Sequence, residues 1–329
     1  MLRAYSQNMV KMTVLASGSK GNSTVVSTSR TRILVDVGVS CRELFKRMAA
    51  AGEDPHTLDA ILITHEHQDH VQGLAVTARK LGIPVYFTEP THREWMRWMT
   101  PRKRMTYADW LAARKAAAEA EATSVNPEME ACEAFEEEKE ENAPMALAAA
   151  AEKAEPEKRD PCALPGVEYF ASGEGFSVGD ISVTPFTIPH DAADPVGFVF
   201  EAEGVRIGLA TDLGYMPPNA KRHLNRCDVL MLESNHDPDM LRDGPYPWSV
   251  KQRVMSRVGH LSNLAAAEFL ETEYDGGAAY VVLAHLSESN NLPELARVSA
   301  ERALRGRMNL LANKLLLATQ DRPLESIVL

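Results

Sequence analysis

Ala60-Ile61-Leu62-Ile63-Thr64-His65-Glu66-His67-Gln68-Asp69-His70 is the stretch on which the fold turns. An unbroken apolar run leads through Thr64 into three of the ten histidines of the chain. A short run of this kind, rich in branched side chains, reads as a buried strand. His65 and His67 stand two apart, so in extended backbone their rings leave the chain on one side and can share a metal ion. Asp69 and His70 follow where the chain turns into a helix, so they face a neighbouring position and can hold a second ion. Imidazole with carboxylate suits zinc, manganese or iron. A surface histidine cluster would need neither the strand before it nor the aspartate within it. A zincin helix is excluded, because it requires His four residues after His65 and Asp69 stands there.

One such half-site cannot close two coordination spheres, so partners are expected at other strand ends. Three isolated residues qualify. His190 ends Ile188-Pro189-His190-Asp191, directly after the strand expected at Ile181–Ile188. Asp212 follows the apolar run Ile207-Gly208-Leu209-Ala210, and His285 follows Val281-Val282-Leu283-Ala284. Each alone suits a structural role; together they describe one sheet edge lined with ligands.

Around these positions short strands alternate with helices, as in a mixed α/β sandwich. Strands are expected at Val14–Ser17, Thr24–Thr28, Ile33–Asp36, Ala60–Thr64, Pro84–Thr88, Val196–Glu201, Arg206–Ala210, Val229–Glu233 and Tyr280–Ala284. Helices are expected at Cys41–Ala51, Val71–Leu81, Ser249–Arg257, Asn263–Thr272 and Leu292–Arg305. One domain, 12–329, is interrupted at 100–165 by an acidic Ala/Glu-rich insertion. Its runs have helix propensity but little apolar stripe, so exposed helices or a partly disordered tether are expected. A partner-binding arm is the functional alternative for it.

The formal charge of the 329 residues is −11. Of 46 acidic and 35 basic residues, 15 and 6 fall between Ala108 and Cys162, so the remaining 31 acids and 29 bases nearly cancel. The body can therefore host a locally positive cleft once divalent ions are bound. Four scattered cysteines, no apolar run approaching a membrane span and no hydrophobic leader point to a cytoplasmic protein without a membrane association.

In chain order, His65-x-His67-x-Asp69-His70, His190, Asp212 and His285 resemble the signature of the metallo-β-lactamase superfamily. The resemblance implies a four-layer αβ/βα sandwich with metals at one edge between two sheets. By position, His65, His67 and His190 would hold one ion, Asp69, His70 and His285 a second, and Asp212 would bridge them. His at position 67 favours a hydrolase over the flavodiiron oxidoreductases of this fold, which usually carry Glu there. Leu15-Ala16-Ser17-Gly18-Ser19-Lys20-Gly21-Asn22-Ser23 resembles the N-terminal loop of YycJ/WalJ-type proteins. So do Glu233–Asp237, Tyr246–Ser249, Gly259–Asn263 and His285–Asn291, and the likeness runs from Thr13 to about Ala303 outside the insertion. It implies a metal-dependent phosphodiesterase, a 5′-to-3′ DNA exonuclease using metal-activated water, with zinc, manganese or iron(II) as cofactor. The insertion is too small and too poor in apolar residues for the extra domain of the β-CASP nucleases.

Asp69, Glu233 and His260 are then the catalytic candidates. His260 would protonate the leaving 3′-oxygen or bind the scissile phosphate, with Glu233 orienting it as in tRNase Z-like enzymes; capping of the following helix is the alternative. Ser17, Ser19 and Asn22 are candidate substrate contacts if their loop offers N–H groups to a phosphate; a plain tight turn is the other reading. His236 could support the metals, touch substrate or lie on the surface. Tyr246 and Trp248 could stack on bases or simply pack. Two other function classes remain open: hydrolysis of a small ester, thioester, lactone or cyclic phosphodiester on the same ions, and a non-catalytic metal protein. The complete ligand set argues against the latter.

Overall fold

A computed structural model of the chain describes residues 9–100, 110–112, 114–115, 160–305 and 313–329. The chain divides into two units, Met1–Met99 with Pro161–Leu329, and Thr100–Asp160. In the second unit the described residues 110–112 and 114–115 are helical, with the Arg114 guanidinium over the Trp110 ring. The insertion expected at 100–165 otherwise lies almost wholly outside the described residues.

The first unit carries the strands. They are β1 (Lys11–Ala16), β2 (Ser23–Ser27), β3 (Arg32–Val35), β4 (Ala60–Leu62), β5 (Val85–Phe87), β6 (Val167–Tyr169) and β7 (Phe176–Val178). Then follow β8 (Ile181–Thr187), β9 (Val196–Ala202), β10 (Val205–Ala210), β11 (Val229–Glu233), β12 (Tyr280–Ala284), β13 (Lys314–Leu317) and β14 (Ile327–Val328). The helices are α1 (Cys41–Ala50), α2 (Gln68–Val71), α3 (Leu74–Leu81), α4 (Glu89–Met99), α5 (Pro218–Leu224), α6 (Pro238–Asp243), α7 (Trp248–Val254), α8 (Asn263–Thr272) and α9 (Pro293–Leu304).

Two seven-stranded sheets form, ordered β14-β1-β2-β3-β4-β5-β6 and β13-β12-β11-β10-β9-β8-β7. In each, one side is antiparallel and the other, β3 to β6 or β10 to β13, is parallel. Strand period two sorts the side chains. Val229 and Met231 enter the apolar layer between the sheets, while Leu230 and Leu232 of the same strand pack under α8 and α9. Leu62 faces the inter-sheet layer, and Ile61 and Ile63 join Leu44, Leu74 and Trp95 under α1, α3 and α4. The result is the four-layer αβ/βα sandwich. No described helix is long and apolar enough to cross a membrane.

Several elements differ from expectation. The helix expected at Val71–Leu81 is two helices, because a Cβ at Gly73 would lie 2.1 Å from the Val39 carbonyl oxygen and the backbones meet there. The strand into the histidines stops at Leu62, where Thr64 leaves the ladder to bond Asp36. Helix α4 was not expected and is held by the fully buried Trp95. The short strands β6, β7, β13 and β14 carry little alternation of their own and form by pairing with longer neighbours.

Candidate metal centre

Strands β3, β4, β8, β10 and β12 end at one edge, and a chemically distinctive side chain sits just past each end, with Glu233 closing β11 beside them. Asp36 follows β3, the segment 65–70 follows β4, His190 follows β8, Asp212 follows β10 and His285 follows β12. Asp36, Asp212 and His285 adopt left-handed backbone, with φ of 59°, 63° and 55°. Non-glycine residues held there cost about 1–3 kcal/mol each and persist where surrounding structure over-determines them. Close backbone approach completes the edge: a Cβ on Gly38 would fall 1.6 Å from the Asp69 carbonyl oxygen.

Donor atoms cluster in four overlapping groups, each with atoms within 4.8 Å of one another. They are His65 with His67 and His190; His65 with His70 and Asp212; Asp69 with His70 and His285; and Asp212 with Glu233, His260 and His285. The last is a hydrogen-bond network rather than an ion site. Glu233 Oε1 accepts from Nδ1 of both His260 and His285 (2.9 Å each), and Oε2 accepts from the N–H groups of Leu213 (2.8 Å) and Leu261 (3.1 Å). No lone pair of Glu233 is left over.

The rings of His65, His70 and His190 are held at Nδ1 in the same way, whereas His67 Nδ1 faces His190 Nε2 at 3.2 Å. His70 Nδ1 donates to Asp36 Oδ2 at 2.8 Å, and His190 Nδ1 to the Gly259 carbonyl at 3.0 Å. Thr64 gives its hydroxyl hydrogen to Asp36 Oδ2 (2.9 Å), so at His65 Nδ1, 3.0 Å away, it accepts. His65 Nδ1 therefore carries the proton and Nε2 is a bare lone pair. That Nε2 is buried without a hydrogen-bond partner, and so is Asp212 Oδ2. Orphaned buried acceptors cost about 1–3 kcal/mol each. The donor set thus fits divalent ions: bare imidazole nitrogens and carboxylate oxygens converge, and neither His65 Nε2 nor Asp212 Oδ2 has a hydrogen-bond partner, although His70 Nε2 lies 3.3 Å from the latter.

Charge points the same way. Burial pushes His65 well below its usual value and lowers His67 and His190, so these rings are neutral. Burial also opposes charge on His70 and His285, yet Asp212 and neighbouring carboxylates raise both well above it. Burial opposes ionisation of Asp212 too, but His285 and His70 hold it well below the usual range. Glu233, equally buried, is held down at about 2 by His260 and His285. The pocket's negative field thus draws positive charge.

Of the candidate substrate contacts, Ser19 is exposed, whereas Ser17 is buried and its Oγ accepts from His285 N at 2.8 Å. Asn22 reaches Asp69 Oδ2 (3.2 Å) and His70 Nε2 (3.0 Å) with its amide nitrogen. His236 is buried, its Nδ1 has no hydrogen-bond partner, and burial lowers it to about 4. Its backbone bridges to Ser262. The Ser262 hydroxyl, not His260, caps α8. Asp36, Thr64 and Glu66 were not singled out from the sequence. Asp36 ends a quoted strand next to two glycine-flanked valines, a usable signal; Glu66, which accepts from Ala193 N at 2.8 Å and braces the His190 loop, offered none.

Residues 16–285 match the family model described as the metallo-beta-lactamase superfamily. Exodeoxyribonuclease WalJ of Streptococcus pneumoniae is 31% identical over 289 residues, 88% of this chain and 86% of WalJ. Exodeoxyribonuclease YycJ of Bacillus anthracis is 32% identical over 291 residues, 88% of both chains. In fold, the chain resembles the metallo-beta-lactamase fold protein YhfI of Bacillus subtilis (TM-score 0.59, 13% identity, 97% and 99% covered). It also resembles the short form of human tRNase Z (TM-score 0.53, 15% identity, 95% and 98% covered). With sheet order, site edge and these matches in agreement, the chain belongs to the metallo-β-lactamase superfamily.

Proposed function

We propose that this protein is a metal-dependent hydrolase acting as a 5′-to-3′ DNA exonuclease. The observation that carries the metal half of this reading is the pair of orphaned acceptors, His65 Nε2 and Asp212 Oδ2, inside a ring of imidazoles held at Nδ1. His65, His67 and His190 would hold one divalent ion and Asp69, His70 and His285 a second, with Asp212 available to both. Zinc or manganese suits the set, and iron(II) is compatible with it. Bound there, such ions acidify water and neutralise charge on a phosphodiester. The choice of DNA rests on the names of the relatives WalJ and YycJ.

The protein's own groups do the rest. Asp69, facing both His70 and His285, is placed to accept a hydrogen bond from the attacking water. His260 donates Nδ1–H to Glu233, which leaves Nε2 as the ring nitrogen that serves the leaving 3′-oxygen. The buried, ionised Glu233 fixes the ring's direction. Asn22 and Ser17 hold ligands rather than substrate.

The test is degradation of 5′-phosphorylated linear DNA by purified protein with manganese or zinc, using EDTA and Asp212→Ala as controls. EDTA-sensitive release of nucleotides from the 5′ end, absent in the variant, is expected. Intact DNA with metal verifiably bound, together with hydrolysis of a small phosphodiester or ester, would replace the exonuclease reading by a small-substrate one.

A further inference from the structure

The segment after α6 presents an exposed surface that the ligand set leaves unexplained. From Gly244 to Ala267 it contains no Asp or Glu, although the chain has 46, and it carries Lys251, Arg253, Arg257 and His260. Trp248 is 61% exposed, and Val250, Met255 and Val258 are exposed beside it in sequence. Such side chains are normally turned inward.

This segment is locked to the metal centre from both sides. Asp191 N donates to the Val258 carbonyl (3.0 Å), and the Gly259 carbonyl holds His190 Nδ1 (3.0 Å). Across the site, a Cβ on Gly214 would lie 2.4 Å from the Arg257 carbonyl carbon, so the loop after Asp212 packs directly on the same backbone. Arg257 in turn covers Tyr215, its guanidinium 4.3 Å from the ring centre. Residues 257–259 therefore line the rim of the cleft, and α7 leads up to them.

Arg253 reaches the ligands through a single carboxylate. Its Nε donates to Asp191 Oδ2 at 2.5 Å, and Asp191 Oδ1 lies 3.5 Å from His190 Nε2. The guanidinium thus stands one carboxylate away from the ligand cluster. Its two amino groups have no protein partner among the described residues, and the side chain is 59% exposed. Neighbouring bases are committed elsewhere: Lys251 Nζ donates to the Arg242 carbonyl, and Arg242 pairs with Asp239 and Asp243. A planar fork anchored at one edge and open at the other matches a phosphate. The exposed indole of Trp248, five residues earlier on the same helix, matches a base.

We propose that α7 and the turn after it, residues 246–258, hold a single DNA strand at the entrance to the cleft, Arg253 gripping the backbone phosphate next to the one cut and Trp248 stacking on a base further along the strand. This deepens the exonuclease reading and rests on it.

The experiment compares the full-length, metal-loaded wild type with Arg253→Gln, Arg253→Lys, Trp248→Ala and Trp248→Phe. Two substrates are used, a 5′-phosphorylated single-stranded oligonucleotide and bis(p-nitrophenyl) phosphate. Binding of the labelled oligonucleotide in EDTA is followed separately by anisotropy over a salt series. Arg253→Gln and Trp248→Ala are expected to lower the oligonucleotide-to-small-substrate ratio of kcat/KM about tenfold, through KM. The salt slope of binding falls by about 1 for Arg253→Gln and is restored in Arg253→Lys. Trp248→Phe keeps most of the affinity. Ratios and slopes equal to wild type, in protein that degrades DNA, would overturn the surface while leaving the exonuclease reading intact. If the wild type cleaves only the small substrate, the exonuclease reading fails. The anisotropy arm then still decides, because absent binding, or binding indifferent to Arg253, overturns this proposal as well.

Discussion

The two sheets build their halves of the centre by opposite means. The first delivers His65, His67, Asp69 and His70 from one six-residue segment after β4, its last three residues opening α2. The second delivers His190, Asp212 and His285 singly, each from a different strand end, with Glu233 from another. A contiguous loop fixes relative ligand positions through a few backbone angles. Scattered ligands depend on strand register across β8 to β12, and their rings need outside support. The difference shows in the braces: Glu233 alone orients two imidazoles and ties two backbone N–H groups on the second side. On the first side Asp36 and Thr64 support His70 and His65 from the next strand and from the loop itself.

The largest effect is expected where the halves meet. Asp212→Ala should lower turnover at least ~1,000-fold, about 4 kcal/mol of barrier, without unfolding the protein. Activity within tenfold of wild type, with an intact circular dichroism spectrum, would mean that the halves do not share this carboxylate. His260→Ala should cost ~100-fold or more in turnover at unchanged metal content, as for a positioned proton donor. Loss of bound metal by elemental analysis would instead make it part of the second side's support.

Replacing the braces sharpens the contrast further. Asp36→Asn and Glu233→Gln should each weaken metal binding about 10–100-fold. Glu233→Gln should lose more turnover, since it also releases His260; equal losses in both variants would erase the distinction between loop-built and strand-built halves. On stability, Gly38→Ala forces the Asp69 backbone aside and should cost about 1–3 kcal/mol by denaturant unfolding, in line with other overpacking changes. Wild-type stability in that variant would show the loop to be softer than its contacts imply.

The smallest effect is a pH dependence located in the second ion position. His70 and His285 are raised above the ordinary histidine value and so keep protons near neutrality, whereas ion binding needs their lone pairs. Metal uptake should therefore release protons, and affinity should fall as pH falls. Calorimetry in buffers of different ionisation enthalpy reads this directly; zero proton release would contradict the charge assignment.

The loop 65–70 and the three downstream residues were legible because ligand chemistry and apolar strands leave strong local marks. Continuous apolar strands such as Val229–Glu233 and Tyr280–Ala284 were legible for the same reason. Short strands such as β13 and β14, and helix α4, were not, since their stability comes from neighbours. The loop at 17–23 shows the limit within the site. Its serine, glycine and asparagine composition suits a phosphate cradle or a turn equally, and only packing turns Ser17 and Asn22 toward His285, Asp69 and His70. Sequence by itself determined which residue types would meet metal, because coordination chemistry is a property of the side chain. Tertiary structure alone decided which nitrogen of each imidazole faces inward, because that is set by acceptors such as Asp36, Gly259 and Glu233, brought from 34 to 69 residues away.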